Sequence, residues 1–158
     1  MLMHGLKEIN LSPSVRLAIN MANTEACLSG SERIEPFHLL LAILNIVDDH
    51  YNQASEALGL TPEEIKSVGE SATLGRSRLK IPDEKITAIR RQLHKILRVN
   101  ESPLPIRKLT CSNESAYLLQ KAARKSHNTG AAEVDLRFLL DEVLNDLPDE
   151  IAPLIGSR

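Results

Sequence analysis

Apolar positions recur along this chain with a helical period. In "SPSVRLAINMANTEACLSG", Val15, Ala18, Ile19, Ala22 and Ala26 fall at three- and four-residue spacing and make one apolar face. Ser12 suits the N-cap of that helix, Pro13 its first position and Gly30 its stop. In "EPFHLLLAILNIV", Pro36 opens a second helix, and Leu39, Leu40, Ile43, Leu44 and Val47 form a broad apolar stripe. The pattern predicts a short third helix near Gln53–Leu58, closed by Gly59. "TPEEIKSVGES" begins a fourth, with Thr61 as cap, Pro62 as first residue and Glu64 completing a capping box.

The next stretch breaks the pattern. "LGRSRLKIP", Leu74 to Pro82, reads as loop, and "DEKITAIRRQLHKILR" from Asp83 reads as an amphipathic helix. Ile86, Ile89, Leu93 and Ile96/Leu97 line one side of it, with Arg91, Lys95 and Arg98 on another. "VNESPLPIRKLT", with Pro103 and Pro105, reads as a linker. A helix then runs from Ser112 to Gly130 in "SNESAYLLQKAARKSHNTG", another follows Asp135 as its cap, and "DEIAPLIGSR" gives a short last one. No strand alternation is sustained anywhere, so the expected fold is all-α.

The chain also repeats itself. At an offset of one hundred residues, without gaps, Ser12 meets Ser112, Ala22 meets Ala122 and Gly30 meets Gly130. Ile34 and Glu35 meet Val134 and Asp135, and Leu39, Leu40, Leu44 and Asn45 meet Leu139, Leu140, Leu144 and Asn145. The matches are caps, stops and buried-face leucines, with small alanines where two helices approach most closely. A helical unit with an open apolar edge buries it against a second copy. The expectation is a single domain over 1–158: repeat one over 11–71, a basic insert and linker over 72–109, and repeat two over 110–158. Each repeat is a four-helix unit, the two are related by a pseudo-twofold, and the insert contributes an extra amphipathic helix between them.

Composition narrows the chemistry. At 158 residues the chain buries a full core without staples. Aromatics are only 3%, so that core is aliphatic. The net charge of −2 gives no global pull toward nucleic acid or an anionic membrane. Cys27 and Cys111 belong to no metal-ligand or redox motif, which points to free thiols in a reducing, cytoplasmic setting. No apolar run reaches a membrane span and none reads as a signal peptide. His38 sits in the first turn of an apolar helix, where a core or capping role fits better than catalysis. His4, His50, His94 and His127 show no metal-ligand spacing, and Asp48-Asp49-His50 reads as a solvated helix end. Ser12 and Ser112 read as caps, since no nucleophile elbow surrounds them. No catalytic constellation, metal site or cofactor motif emerges, and a phosphate-cradling GxxxxGK[ST] is absent.

"IEPFHLLLAIL" followed by "ALGL", with the offset copy, resembles the duplicated N-terminal domain of Clp-type AAA+ unfoldases and disaggregases, nearest the ClpB type. The resemblance covers about Leu11–Ser71 and Thr110–Ile155. It implies a non-catalytic chaperone module that binds unfolded or aggregated clients, or adaptor proteins, for AAA+ ATPase modules in cis or in trans. Weak capture in aliphatic grooves suits such a hand-off.

Three departures qualify the likeness. Relatives often carry acidic residues where this chain has Phe37 and Arg137, so phosphoarginine binding is not carried over. The insert is longer and more basic than the family's, and the family's last helix of the second half would follow Ile155. The positions carried over for client or adaptor contact are Ser12, Phe37, Lys121, Arg137 and Phe138, and Phe138→Asp is expected to weaken binding without unfolding the domain. The alternative is a stand-alone adaptor, or a module for nucleic acid or an acidic partner, using Arg91, Lys95 and Arg98 on the insert. The absence of stacking aromatics there disfavours single-stranded nucleic acid, and a packed amphipathic helix with a solvated basic face explains the same charges.

Overall fold

The computed structural model describes residues 10–97, 105–147, 149 and 152–155. They form α1 (Pro13–Leu28), α2 (Pro36–Val47), α3 (Asn52–Leu58), α4 (Pro62–Leu79), α5 (Asp83–Leu97), α6 (Asn113–Asn128), α7 (Leu136–Asn145) and α8 (Ala152–Ile155). The architecture is all-helical, with only isolated backbone bridges between extended segments. No helix among the described residues is long and apolar enough to cross a membrane.

Local sequence sets the helix ends. The Ser12 hydroxyl accepts the Val15 N–H at 3.3 Å, and the Ser112 hydroxyl accepts that of Ser115 at 3.1 Å. Gly30 and Gly130 each follow the last turn at φ 78°, a left-handed backbone that a side chain would strain. α2 begins on a capping box whose second member is His38: its Nδ1 accepts the Glu35 N–H at 2.9 Å. α4 begins on the reciprocal Thr61–Glu64 pair expected from the sequence.

One boundary differs from the expectation. The segment 74–79, expected as loop, is the last part of α4, which runs unbroken to Leu79 and ends where Lys80 turns left-handed at φ 56°. Gly75 is inside the helix for a packing reason. A Cβ there would lie 2.9 Å from Val47 Cγ1, so glycine lets α4 cross close to the end of α2. Arg76 and Arg78 therefore stand on α4 and not in a loop.

α2 lies at the centre. It packs against α1, α4, α5, α6 and α7, and every residue from His38 to Leu44 is buried. α7, which aligns with α2 at the hundred-residue offset, has Asp141 and Asp146 where α2 has Leu41 and Ile46. The extra helix explains the difference, because α5 sets its apolar side, Ile86, Ile89 and Leu93, against α2. The rest of the core is aliphatic apart from Phe138, Met21 and the two cysteines, and continuous from α1 through α2 to α6 and α7.

Two pairs of extended segments, distant in sequence, are joined by backbone bonds. Ser12 N–H donates to Val134 C=O at 3.0 Å, and Val134 N–H donates to Asn10 C=O at 2.8 Å. One hundred positions along, Ser112 N–H donates to Ile34 C=O at 3.0 Å, and Ile34 N–H donates to Thr110 C=O at 2.9 Å. The segment before α1 thus pairs with the segment before α7, and the segment before α6 with the segment before α2.

Candidate recognition surface

The crossed pairing places the N-terminus of α1 beside that of α7, and the N-terminus of α6 beside that of α2. At the first junction, Ser12 Oγ and Ser14 Oγ share a hydrogen bond of 2.8 Å. Ser14 and Ser71 then donate to Asp135 Oδ1 at 3.3 and 2.6 Å. Asp135 stands at the N-cap of α7 as expected, but its carboxylate holds α1, α4 and α7 together instead of capping its own helix.

The candidate contact residues divide accordingly. Ser12 is 2% exposed and Phe138 is 7% exposed, so both are structural and neither presents a side chain to a partner. Phe138 belongs to the core because the α7 stripe of Leu136, Phe138, Leu139, Leu140 and Val143 is buried. Phe138→Asp would put a carboxylate into that core, so it tests folding, not binding. Phe37 and Arg137 occupy the same position, two residues past the N-cap, on α2 and α7, and both are partly exposed. Phe37 meets the His38 ring edge-on at 4.6 Å, and the Arg137 guanidinium lies 5.0 Å from the Phe138 ring centre. Lys121 stands apart on α6, 4.6 Å from the centre of the Tyr117 ring and 3.5 Å from Glu142.

The basic helix presents less free charge than its sequence implies. Arg90 is bound to Asp48 at 2.8 Å, and Asp48 also accepts the Thr87 hydroxyl. Arg76 donates to the Val47 carbonyl through Nε and Nη2, closing the C-terminus of α2, and pairs with Asp49 at 3.3 Å. Arg78 grips Asp141 through two nitrogens. Arg91 and Lys95 are exposed on one face, and Arg98 lies outside the described residues. Asp48 and Asp49 are therefore counter-charges for arginines of α5 and α4, with His50 Nε2 3.6 Å from Asp48, and no three metal-ligating side chains cluster among the described residues.

His38 and both cysteines are buried. His38 is 1% exposed, with Nε2 at 3.2 Å from Ser29 Oγ, and burial holds its pKa down at about 4. It is neutral at physiological pH. Nδ1 accepts the Glu35 N–H, so Nε2 carries the proton and donates to Ser29. Burial pushes the Cys111 thiol up to about 11, which leaves it a poor nucleophile. Sequence reading did not find a cleft of about 580 Å³ between α1, the end of α2 and α3, edged by Asn20, Met21, Glu25, His50, Tyr51 and Gln53. Its lining comes from three elements, with no local motif to mark it. Compared with family models, curated proteins and solved structures, the chain gives no match.

Proposed function

We propose that the chain is built from two copies of one helical unit, and that it is a non-catalytic protein-recognition module of the Clp N-terminal kind. On this reading it captures unfolded client segments or adaptor proteins for an AAA+ unfoldase or disaggregase. The observation that carries the reading is the crossed pairing. The four backbone bonds that join the halves form two pairs, and a shift of one hundred residues turns one pair into the other. The cap and glycine matches at the same offset accompany it. The groups that could do chemistry support a binding role, since Ser12 and Ser112 cap helices and His38 is neutral and enclosed.

Contact with clients falls to the partly exposed Phe37 and Arg137, which flank the two junctions. The phosphate-binding reading retains Arg91 and Lys95, while Arg76, Arg78 and Arg90 are occupied by internal carboxylates and a carbonyl. The test is fluorescence anisotropy of a permanently unfolded, carboxymethylated protein titrated with the whole chain. Saturable binding with a Kd of about 10–100 μM is expected, changing less than about threefold between about 0.15 M and 0.5 M salt because apolar contact is not screened. Absence of binding, or loss of binding at the higher salt, would overturn the reading.

A further inference from the structure

The two aligned first helices are not equally covered. α1 buries Pro13, Ser14, Leu17 and Met21, a stripe down one side of the helix, and Leu17 is 0% exposed. On α6 the same positions are Asn113, Glu114, Tyr117 and Lys121: the first two are exposed, Tyr117 is 54% exposed and Lys121 is partly so. The covering elements on α1 are α3 and α4. Glu64, in the first turn of α4, pairs with Arg16 at 2.5 Å, Ser71 of α4 reaches Ser14 through Asp135, and α3 faces Met21 across the cleft. Among the described residues α6 has no counterpart of α4.

The open stripe has a definite chemistry. Tyr117, Lys121 and Arg124 follow one another at four- and three-residue spacing, with Arg124 and Lys125 exposed beside them. Glu142 is 2% exposed and is held by Lys121 at 3.5 Å and Lys125 at 2.5 Å. It offsets one of those lysines and cannot itself reach a partner. Arg124 makes no ion pair among the described residues, so the stripe is cationic around a protruding aromatic ring. Glu114, in the first turn, is the one acidic residue of α6 itself, and it is exposed. An isologous pairing with a second copy would set these cations against each other.

We propose that this face of α6 is a docking site for an acidic amphipathic helix of a partner protein, seated where α4 sits on α1. Tyr117 is the anchor, of a residue type that dominates helix-in-groove and interface contacts. Arg124, together with the one lysine charge that Glu142 leaves unbalanced, pairs with carboxylates on the flanks of the incoming helix. The proposal rests on the duplicated-unit reading above, and it adds a second surface, separate from Phe37 and Arg137.

The probe is a synthetic helical peptide with leucines at i, i+3, i+4 and i+7 and glutamates flanking them, titrated into the isotope-labelled whole chain. Amide shifts are expected along Asn113–Lys125, with affinity reduced about tenfold by Tyr117→Ala or Arg124→Glu. Both substitutions are on the surface, and unchanged circular dichroism would show that the fold is kept. A peptide with lysine in place of each glutamate should not bind. Equal binding of the lysine peptide, or shifts confined to other helices, would overturn the proposal. So would concentration-dependent self-association through α6 without peptide, or tighter binding of a single-stranded oligonucleotide at the same residues. Unfolded-client binding is read with a different probe, so it can fail or succeed independently of this result.

Discussion

His38 shows how one side chain can be indispensable without being chemically active. It accepts the Glu35 N–H with one ring nitrogen and faces Ser29 with the other, and it is enclosed by α1 and α2. Burial lowers its folded pKa to about 4, against an unfolded value near 6.5. Between these values the unfolded chain takes up a proton that the folded chain refuses. Stability is therefore intact above about pH 6.5 and falls as the pH drops toward 4. From pH 7 to 5 the loss from this group is about 2 kcal/mol. Urea unfolding at the two pH values checks it: His38→Gln should be less stable at pH 7 but show a shallower pH dependence. An unchanged slope would mean that another group carries the effect. At the same scale, Phe138 and Arg137 would, on the proposed reading, separate folding from client contact. Phe138→Asp is expected to abolish cooperative thermal unfolding, since it buries a charge with no partner. Arg137→Glu should keep the fold and alter client affinity. Sequence placed both residues correctly on one helix, but which of two neighbours faces inward depended on how α7 rolls against α4 and α6, and spacing alone did not settle that.

Helix ends were the most legible elements, because their chemistry is local. Ser12, Gly59 and the Thr61–Glu64 pair act where the sequence put them. The C-terminal part of α4 was not legible, because its glycine answers to a distant residue. Gly75 reads as a breaker along the chain, and only the approach of Val47 explains it. Alanine at 75 gains about 1 kcal/mol of helix propensity, but its methyl group overlaps Val47, which typically costs about 1–3 kcal/mol. Gly75→Ala should therefore destabilise the protein, and adding Val47→Ala should recover much of that loss relative to Val47→Ala alone. Chemical denaturation of the four variants of the cycle measures the coupling, and strict additivity would exclude the contact. Arg76 lies within the stretch the sequence marks as a basic insert, and it is not free. Its partners, the Val47 carbonyl and Asp49, are distant in sequence, so charge counting along the insert overstated the exposed charge.

At the scale of the molecule, the sequence repeat led to the expectation of two like halves; the structure shows an all-helical fold in which backbone bonds join residues 10–12 to Val134 and residues 110–112 to Ile34. What the repeat did not predict is how unequally the halves are covered. α5 lies on α2, whereas α6 keeps an open cationic stripe. On the proposed reading, partly exposed side chains around a buried, largely aliphatic core contact the clients, while His38 and the two cysteines are enclosed. A recognition module requires a client contact that is localised and reversible. The most direct measurement is an amide and methyl shift map of the isotope-labelled chain during titration with a permanently unfolded protein. The account predicts fast-exchange shifts clustered at Phe37 and Arg137 and at the junctions they flank, with the Arg91 and Lys95 face undisturbed. Shifts confined to Arg91 and Lys95, or no shifts at saturating client, would contradict it.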